Sequence, residues 1–192
     1  LTIAAENAGA NAALLVCPYS NKPSQAGLYQ HYTAIAQSSG LDLILYSIPG
    51  RAGIQIDSET TARLQADCPN IVAMKEAGGQ VARVTELRAL VPDSFEILSG
   101  DDALTVEFMK AGAVGVISVA SNLIPRVMAD ITRAMLDGDP STAEALHARY
   151  EPLFSAFLRL DTNPVPIKAA LGLAGICDPY LRLPMIQMGP EK

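Results

Sequence analysis

Lys75 stands in "NIVAMKEAGG", residues 70–79. The apolar run Ile71–Met74, bounded by Asn70 and by Gly78-Gly79, reads as a short buried strand. A lysine that stays charged and unpaired in such a place costs several kcal/mol. Burial disfavours the ammonium, so the enclosed form would be the neutral amine. At an ordinary pKa of about 10.4 only roughly one lysine in a few thousand is neutral at pH 7, and lowering the value to roughly 7–8 requires about 3–5 kcal/mol of preference for the free base. A free amine attacks a ketone or aldehyde and forms a Schiff base, the step on which class I aldolases depend. Tyr46, near the end of the apolar run "LDLILYSIP", is a natural proton carrier for that step. Arg51, past Pro49-Gly50, suits a substrate carboxylate held by paired hydrogen bonds.

Each residue also has an ordinary reading. A strand lysine commonly snorkels or pairs with a carboxylate, and a strand tyrosine commonly fills a core. Lysine is scarce here, however: the chain holds Lys22, Lys75, Lys110, Lys168 and Lys192, and Lys75 alone falls inside a strand. In "SGDDA", Asp101 and Asp102 read as helix caps in preference to a metal-binding pair. Gly78-Gly79 reads as a turn, without the basic residues of a phosphate loop.

Positioning these groups requires strands that end side by side. Apolar strands are expected at 12–18, 41–49, 70–77, 94–100 and 113–120. Helices are expected at 24–38, 58–67, 80–91, 102–111 and 124–137, with caps at Pro23-Ser24, Asp57-Ser58 and Asp101. Near-continuous apolar strands alternating with helices imply a parallel sheet covered by helices. In such a sheet the site lies beyond the carboxyl ends of the strands, where Tyr19, Ser20, Tyr46, Ser47, Arg51, Lys75, Ser99, Gly100, Ser118 and Ser121 would gather. Strict alternation places Lys75 on the side of Ile71 and Ala73. Residues 140–192 are helical only and read as an appendage on residues 1–139. Two architectures fit five such units: an open doubly wound sheet, without a GxGxxG turn to support a dinucleotide site, and part of a (β/α)8 barrel. On the barrel reading about three units upstream are wanting, and a start at Leu1 without a basic leader agrees with that expectation.

Composition narrows the classes. With 192 residues, 49% of them hydrophobic, the chain is expected to be globular and not disordered. A net charge of -6 argues against nucleic-acid binding, and no apolar run is long enough for a membrane span. Cys17, Cys68 and Cys177 are odd in number and widely spaced, and only His31 and His147 accompany them. Neither a disulfide framework nor a zinc site is expected, and a reducing cytoplasm is the simplest setting.

The blocks "PYSNKPSQAGLYQHYTAIA", "ILYSIPGRAG", "IVAMKEAGG", "ILSGDD", "GVISVASN", "TNPVPIKAAL" and "LRLPM" together resemble the dihydrodipicolinate synthase family of pyruvate-dependent class I aldolases. The resemblance runs from end to end, and "SGDD", "NPVPIK" and "RLP" favour the synthases over the sialic-acid and keto-sugar-acid lyases. It implies a (β/α)8 barrel, about five of eight units present, with a C-terminal helical extension and assembly as a homotetramer of two dimers. It implies condensation of pyruvate with aspartate semialdehyde, on the route to lysine and diaminopimelate, without metal or organic cofactor. Lys75 then matches the Schiff-base lysine, Tyr46 the relay tyrosine and Arg51 the arginine that grips the aldehyde's carboxylate. Gly100 and Ile117 match positions whose backbones line the pyruvate pocket, and Tyr19 a tyrosine of the lysine feedback pocket in some members. Departures accompany the match. The family's early Gly-Thr-Thr-Gly-Glu segment is absent, Ser47 replaces a usual asparagine, and Ser20 occupies the place of the tyrosine lent by a partner subunit. The alternatives are a related lyase acting on another 2-keto acid, or a non-catalytic fragment or subunit.

Overall fold

The computed structural model describes residues 1–189 and 191; Pro190 and Lys192, at the end of the expected helical appendage, lie outside the described residues. In chain order the elements are α1 (Thr2–Asn7), β1 (Ala12–Val16), α2 (Gln25–Ser38), β2 (Asp42–Ser47), α3 (Pro49–Ala52), α4 (Ser58–Asp67), β3 (Ile71–Glu76), α5 (Val81–Leu90), β4 (Glu96–Ser99), α6 (Thr105–Lys110), β5 (Gly115–Val116), α7 (Pro125–Leu136), α8 (Pro140–Arg159) and α9 (Val165–Leu173). Short 3-10 turns cover Asp102–Leu104 and Ala120–Asn122. Contacts divide the chain into two compact units: residues 1–100 with 107–117, and residues 101–106 with 118–192.

The first unit holds five parallel strands in the order β1-β2-β3-β4-β5. A doubly wound sheet reverses its strand order at a switch point. Here every strand lies beside its neighbour in sequence, which is the arrangement of five successive units of a (β/α)8 barrel. Side chains fall into two sets of rows. Leu45, Met74 and Ile97 align across the sheet, followed two residues on by Ser47, Glu76 and Ser99, and every one of these is buried. Leu28 and Tyr32 of α2, Leu64 of α4, and Val84 and Leu87 of α5 are buried with them. At roughly 1.5–3 kcal/mol for each large apolar side chain removed from water, this is the stabilising layer of the unit. Tyr32 is fully buried, and its phenol is pushed well above its ordinary pKa, by burial first and by the Cys17 thiol second. On the other side Val16, Tyr46, Lys75 and Leu98 align, and this row is only partly enclosed, Val16 being 41% exposed.

One irregularity assigns these faces. Leu43 aligns with Ile71, yet Ile44 aligns with Ala73, so Val72 is an extra residue in β3. Ile71 therefore belongs to the buried row with Leu43, and Ala73 and Lys75 belong to the row of Ile44 and Tyr46. Strict alternation fails for Ile71 because an inserted residue changes the parity of everything before it.

Several boundaries differ from the sequence expectations. The second strand ends at Ser47, because Pro49 favours the first turn of a helix and Gly53, at φ 75°, closes α3 in the left-handed conformation. The fifth strand is only Gly115–Val116, and Ala120 has already entered a 3-10 turn. Ser24 caps α2 as expected, its hydroxyl accepting from the Gly27 N–H. Asp57 precedes α4, but its side chain makes no capping bond; its carbonyl instead accepts from the Thr61 N–H and hydroxyl at 2.9 and 3.1 Å.

In the second unit α7, α8 and α9 bury Met128, Ile131, Ala143, Phe154, Phe157, Val165 and Ile167. Asp101 accepts from the Ala103 N–H, the cap expected of it. Asp102 acts further along the chain, where its Oδ2 accepts from the N–H groups of Val119 and Ala120 at 3.0 and 2.8 Å and secures the start of the second 3-10 turn. Burial raises the Asp101 pKa, with the Ala103 N–H opposing. Among the described residues no helix is long and apolar enough to cross a membrane, and no group of three His, Cys, Asp or Glu is placed to hold a metal ion. The three cysteines carry no disulfide.

Candidate active site

Register alone puts Tyr46 beside Lys75. The Lys75 Nζ lies over the Tyr46 ring, 4.3 Å from its centroid. An ammonium over the face of a phenol is attracted by the ring quadrupole, and the contact fixes the direction of an otherwise flexible side chain. Lys75 is half-buried, with its stem in the sheet layer and its nitrogen at the carboxyl ends of the strands. Burial pushes the Tyr46 phenol above its ordinary pKa, and the Arg51 guanidinium opposes this only in part. The phenol is therefore protonated at neutral pH and able to give up a proton to a nearby oxygen. Arg51 itself is exposed on α3, immediately past the Pro49 turn.

Gly100 is required by space. Its N–H donates to the Glu76 carbonyl at 2.8 Å, which draws the end of β4 against β3. A Cβ at this position would lie 2.6 Å from the Ala77 Cβ and 3.0 Å from the Lys75 Cε. The lysine stem thus occupies the room a side chain would need. Ile117, just beyond β5, is held by its N–H donating to the Ser99 carbonyl at 2.9 Å.

Other expected residues are placed differently. Ser47 and Ser99 are fully buried in the row opposite Lys75, and Ser47 Oγ accepts from the Ile56 N–H at 3.4 Å. They do not join the Lys75 row. Ser118 and Ser121 bond to each other in one turn, the Ser121 N–H donating to Ser118 Oγ at 2.8 Å. Ser20 lies exposed between β1 and α2 with φ 73°, and Tyr19 beside it is 69% exposed.

Sequence reasoning missed a buried ion pair directly behind the lysine. Glu76 is 1% exposed and Arg83 7% exposed, with Arg83 Nη2 3.5 Å from Glu76 Oε2. Burial raises the Glu76 pKa, while Arg83 and the Gly78 N–H pull it down. The available signal was a carboxylate adjacent to a strand lysine with an arginine seven residues on, a pattern that reads equally well as surface charge.

Sequential parallel strands with a lysine and a tyrosine at their carboxyl ends, and an arginine just beyond on α3, are the arrangement of part of a (β/α)8 barrel. The family follows from comparison: residues 1–192 match the dihydrodipicolinate synthetase family throughout, and the chain belongs to that family. It is 49% identical to 4-hydroxy-tetrahydrodipicolinate synthase of Persephonella marina, over 100% of this chain and 65% of that protein. The Aquifex aeolicus synthase is 43% identical, over 100% of this chain and 65% of its own length. Among solved structures, the synthase of Methylacidiphilum fumariolicum SolV superposes with a TM-score of 0.97 at 49% identity, covering 99% of this chain and 63% of that one. The chain thus spans about two thirds of the length of the relatives it matches.

Proposed function

We propose that the protein condenses pyruvate with aspartate semialdehyde to give 4-hydroxy-tetrahydrodipicolinate, in the biosynthesis of diaminopimelate and lysine. The Lys75 amine attacks the keto carbon of pyruvate, a C–N bond forms, and the carbinolamine loses water to give the imine. Loss of a methyl proton yields the enamine, whose carbon attacks the aldehyde carbon of the second substrate and regenerates the Lys75 imine. The amino group of the second substrate then adds to that imine carbon and closes the ring, and the C–N bond to Lys75 breaks to release the lysine as the free amine. Tyr46 carries the protons to and from the carbinolamine and alkoxide oxygens. Arg51 grips the aldehyde's carboxylate, and the backbones of Gly100 and Ile117 line the pyruvate site. The route needs no metal or organic cofactor. Ser20 is too short to act as a phenol from a neighbouring subunit, so Tyr46 is the phenol of the relay. In this reading residues 1–139 belong to the barrel, residues 140–192 form its helical extension, and the enzyme works in the cytoplasm as a homotetramer.

The placement of the Lys75 nitrogen 4.3 Å above the Tyr46 ring, at the strand ends, carries the proposal. The names of the relatives support the synthase over a lyase acting on another keto acid. The test is borohydride reduction in the presence of pyruvate, followed by peptide mass spectrometry of the folded full-length protein. A reduced pyruvyl adduct on Lys75 is expected and Lys75→Ala abolishes it. Arg51→Ala leaves trapping intact and weakens use of the aldehyde. An adduct that persists in Lys75→Ala refutes the assignment.

A further inference from the structure

The polar groups buried behind Tyr46 and Lys75 form one connected path. Ser47 follows Tyr46 on β2, and its hydroxyl accepts from the Ile56 N–H at 3.4 Å. The Ile56 carbonyl accepts from Arg83 Nη2 at 2.7 Å, and Ser58 Oγ accepts from Arg83 Nη1 at 2.7 Å. The same Nη2 lies 3.5 Å from Glu76 Oε2, and Glu76 follows Lys75 on β3. The other carboxylate oxygen, Oε1, accepts from the Gly78 N–H at 2.6 Å and so closes the β3–α5 turn, where Gly79 adopts φ 76°. Across the sheet the circuit is completed by the Ala77 N–H donating to the Ser47 carbonyl at 2.9 Å. Ser47, Ser58, Glu76 and Arg83 are each 7% exposed or less.

We infer that the buried Glu76–Arg83 pair is a positioning device for the lysine, fixing where the end of β3, and with it the Lys75 amine, stands relative to Tyr46 on β2. This rests on the reading of Lys75 as the imine-forming residue. Burying a glutamate and an arginine is a poor way to stabilise a sheet, because well-packed apolar residues of similar volume do as well or better. What the pair adds is direction. A guanidinium holds its acceptors in one plane at fixed angles, so Arg83 sets the Ile56–Ser58 segment, the β3–α5 turn and Glu76 in one geometry. Neither charged group shares the row of Lys75, so the pair acts through the backbone and not on substrate.

The test uses the full-length protein carrying the double substitution Glu76→Gln with Arg83→Met, which removes both charges and retains most of the volume. The readouts are the rate of borohydride-trapped imine formation with saturating pyruvate, the pyruvate KM and the thermal midpoint. The expected result is a folded protein whose imine forms about 10–100-fold more slowly, as a misplacement on the order of 1 Å produces, with KM within about threefold of the parent. A folded double variant that forms the imine at the parent's rate overturns the inference. Should the double variant fail to fold, Ser58→Ala serves instead, since it removes one acceptor of Arg83 and leaves both charges. That variant is expected to slow imine formation by a few fold while lowering the thermal midpoint by about 2–12 °C, as loss of one buried acceptor does, and an unchanged rate in the folded variant overturns the inference. Parent protein that traps no pyruvate refutes the reading of Lys75 itself, whereas trapping by the parent with unaffected variants refutes only the positioning role.

Discussion

Gly100→Ala is the substitution with the most sharply defined consequence. The added methyl carbon would stand 2.6 Å from the Ala77 Cβ, about 0.8 Å inside ordinary contact near 3.4 Å, 3.0 Å from the Lys75 Cε and 3.1 Å from the Glu76 carbonyl oxygen. Two of these neighbours cannot swing away. The Ala77 Cβ and the Glu76 carbonyl are fixed to the backbone at the end of β3, and that carbonyl also accepts the Gly100 N–H. Only the lysine stem can yield. Overpacking of this kind costs about 1–3 kcal/mol, which for a protein of this size lowers the melting temperature by about 2–12 °C. The larger effect falls on chemistry. A lysine stem pushed aside by even part of an ångström loses its place over the Tyr46 ring, and displacements on the order of 1 Å reduce rates by about 100-fold. The assay pairs a thermal melt with the rate of borohydride-trapped imine formation. Gly100→Ala should melt only modestly earlier yet form imine at least about tenfold more slowly. Trapping at the parent's rate would refute the reasoning, since the stem would then not occupy the space that glycine leaves.

Asn70→Ala should destabilise the protein by about 1–3 kcal/mol, read as the urea midpoint, because the Asn70 amide donates to the carbonyls of Ala36, Ser39 and Leu41 at 3.1–3.2 Å and joins the end of α2 to the start of β2. Asp102→Ala should cost a similar amount, about 1–3 kcal/mol, because the Val119 and Ala120 N–H groups lose their carboxylate. The pKa of Tyr46 is raised in the fold, so its folded form holds its proton more tightly than the unfolded chain. Its contribution to stability is complete below about pH 10 and is lost as pH rises through the raised value. In a titration followed by phenolate absorbance, Tyr46→Phe should therefore delete a late step, above the ordinary tyrosine range, and deletion of an ordinary step would count against its enclosure.

Much of the fold and of the site is legible in the sequence. Lys75 and Tyr46 stand out because each is chemically conspicuous in an apolar strand and because parallel strands must present their carboxyl ends together. The barrel order is suggested by strands alternating with helices, and only the observed neighbour relations separate it from the doubly wound alternative. Glu76 and Arg83 are not legible, because what joins them is a crossing between β3 and α5 that spacing does not encode. Ser47 and Ser99 are expected at the mouth with Lys75 because residue type marks a hydroxyl without saying which face it takes. Asp57 stands where a cap is expected, but a capping bond depends on rotamer, and here Thr61 serves the Asp57 carbonyl instead.

The extra residue at Val72 has a consequence for what evolution can do with this strand. Four positions separate Ile71 from Lys75, an even number, yet the two belong to opposite faces. Val72 is therefore a parity switch. Losing one residue between them would remove the bulge and leave Ile71 and Lys75 on opposite faces by plain alternation, so the amine would keep its row beside Tyr46. Gaining a second extra residue would instead exchange the roles of the two adjacent charged residues and send the amine into the dry layer. A shortening by one residue is thus absorbed by the loss of the bulge, whereas a lengthening has no such slack to draw on. The third strand can lose a residue ahead of its lysine and keep its faces, but it cannot gain one.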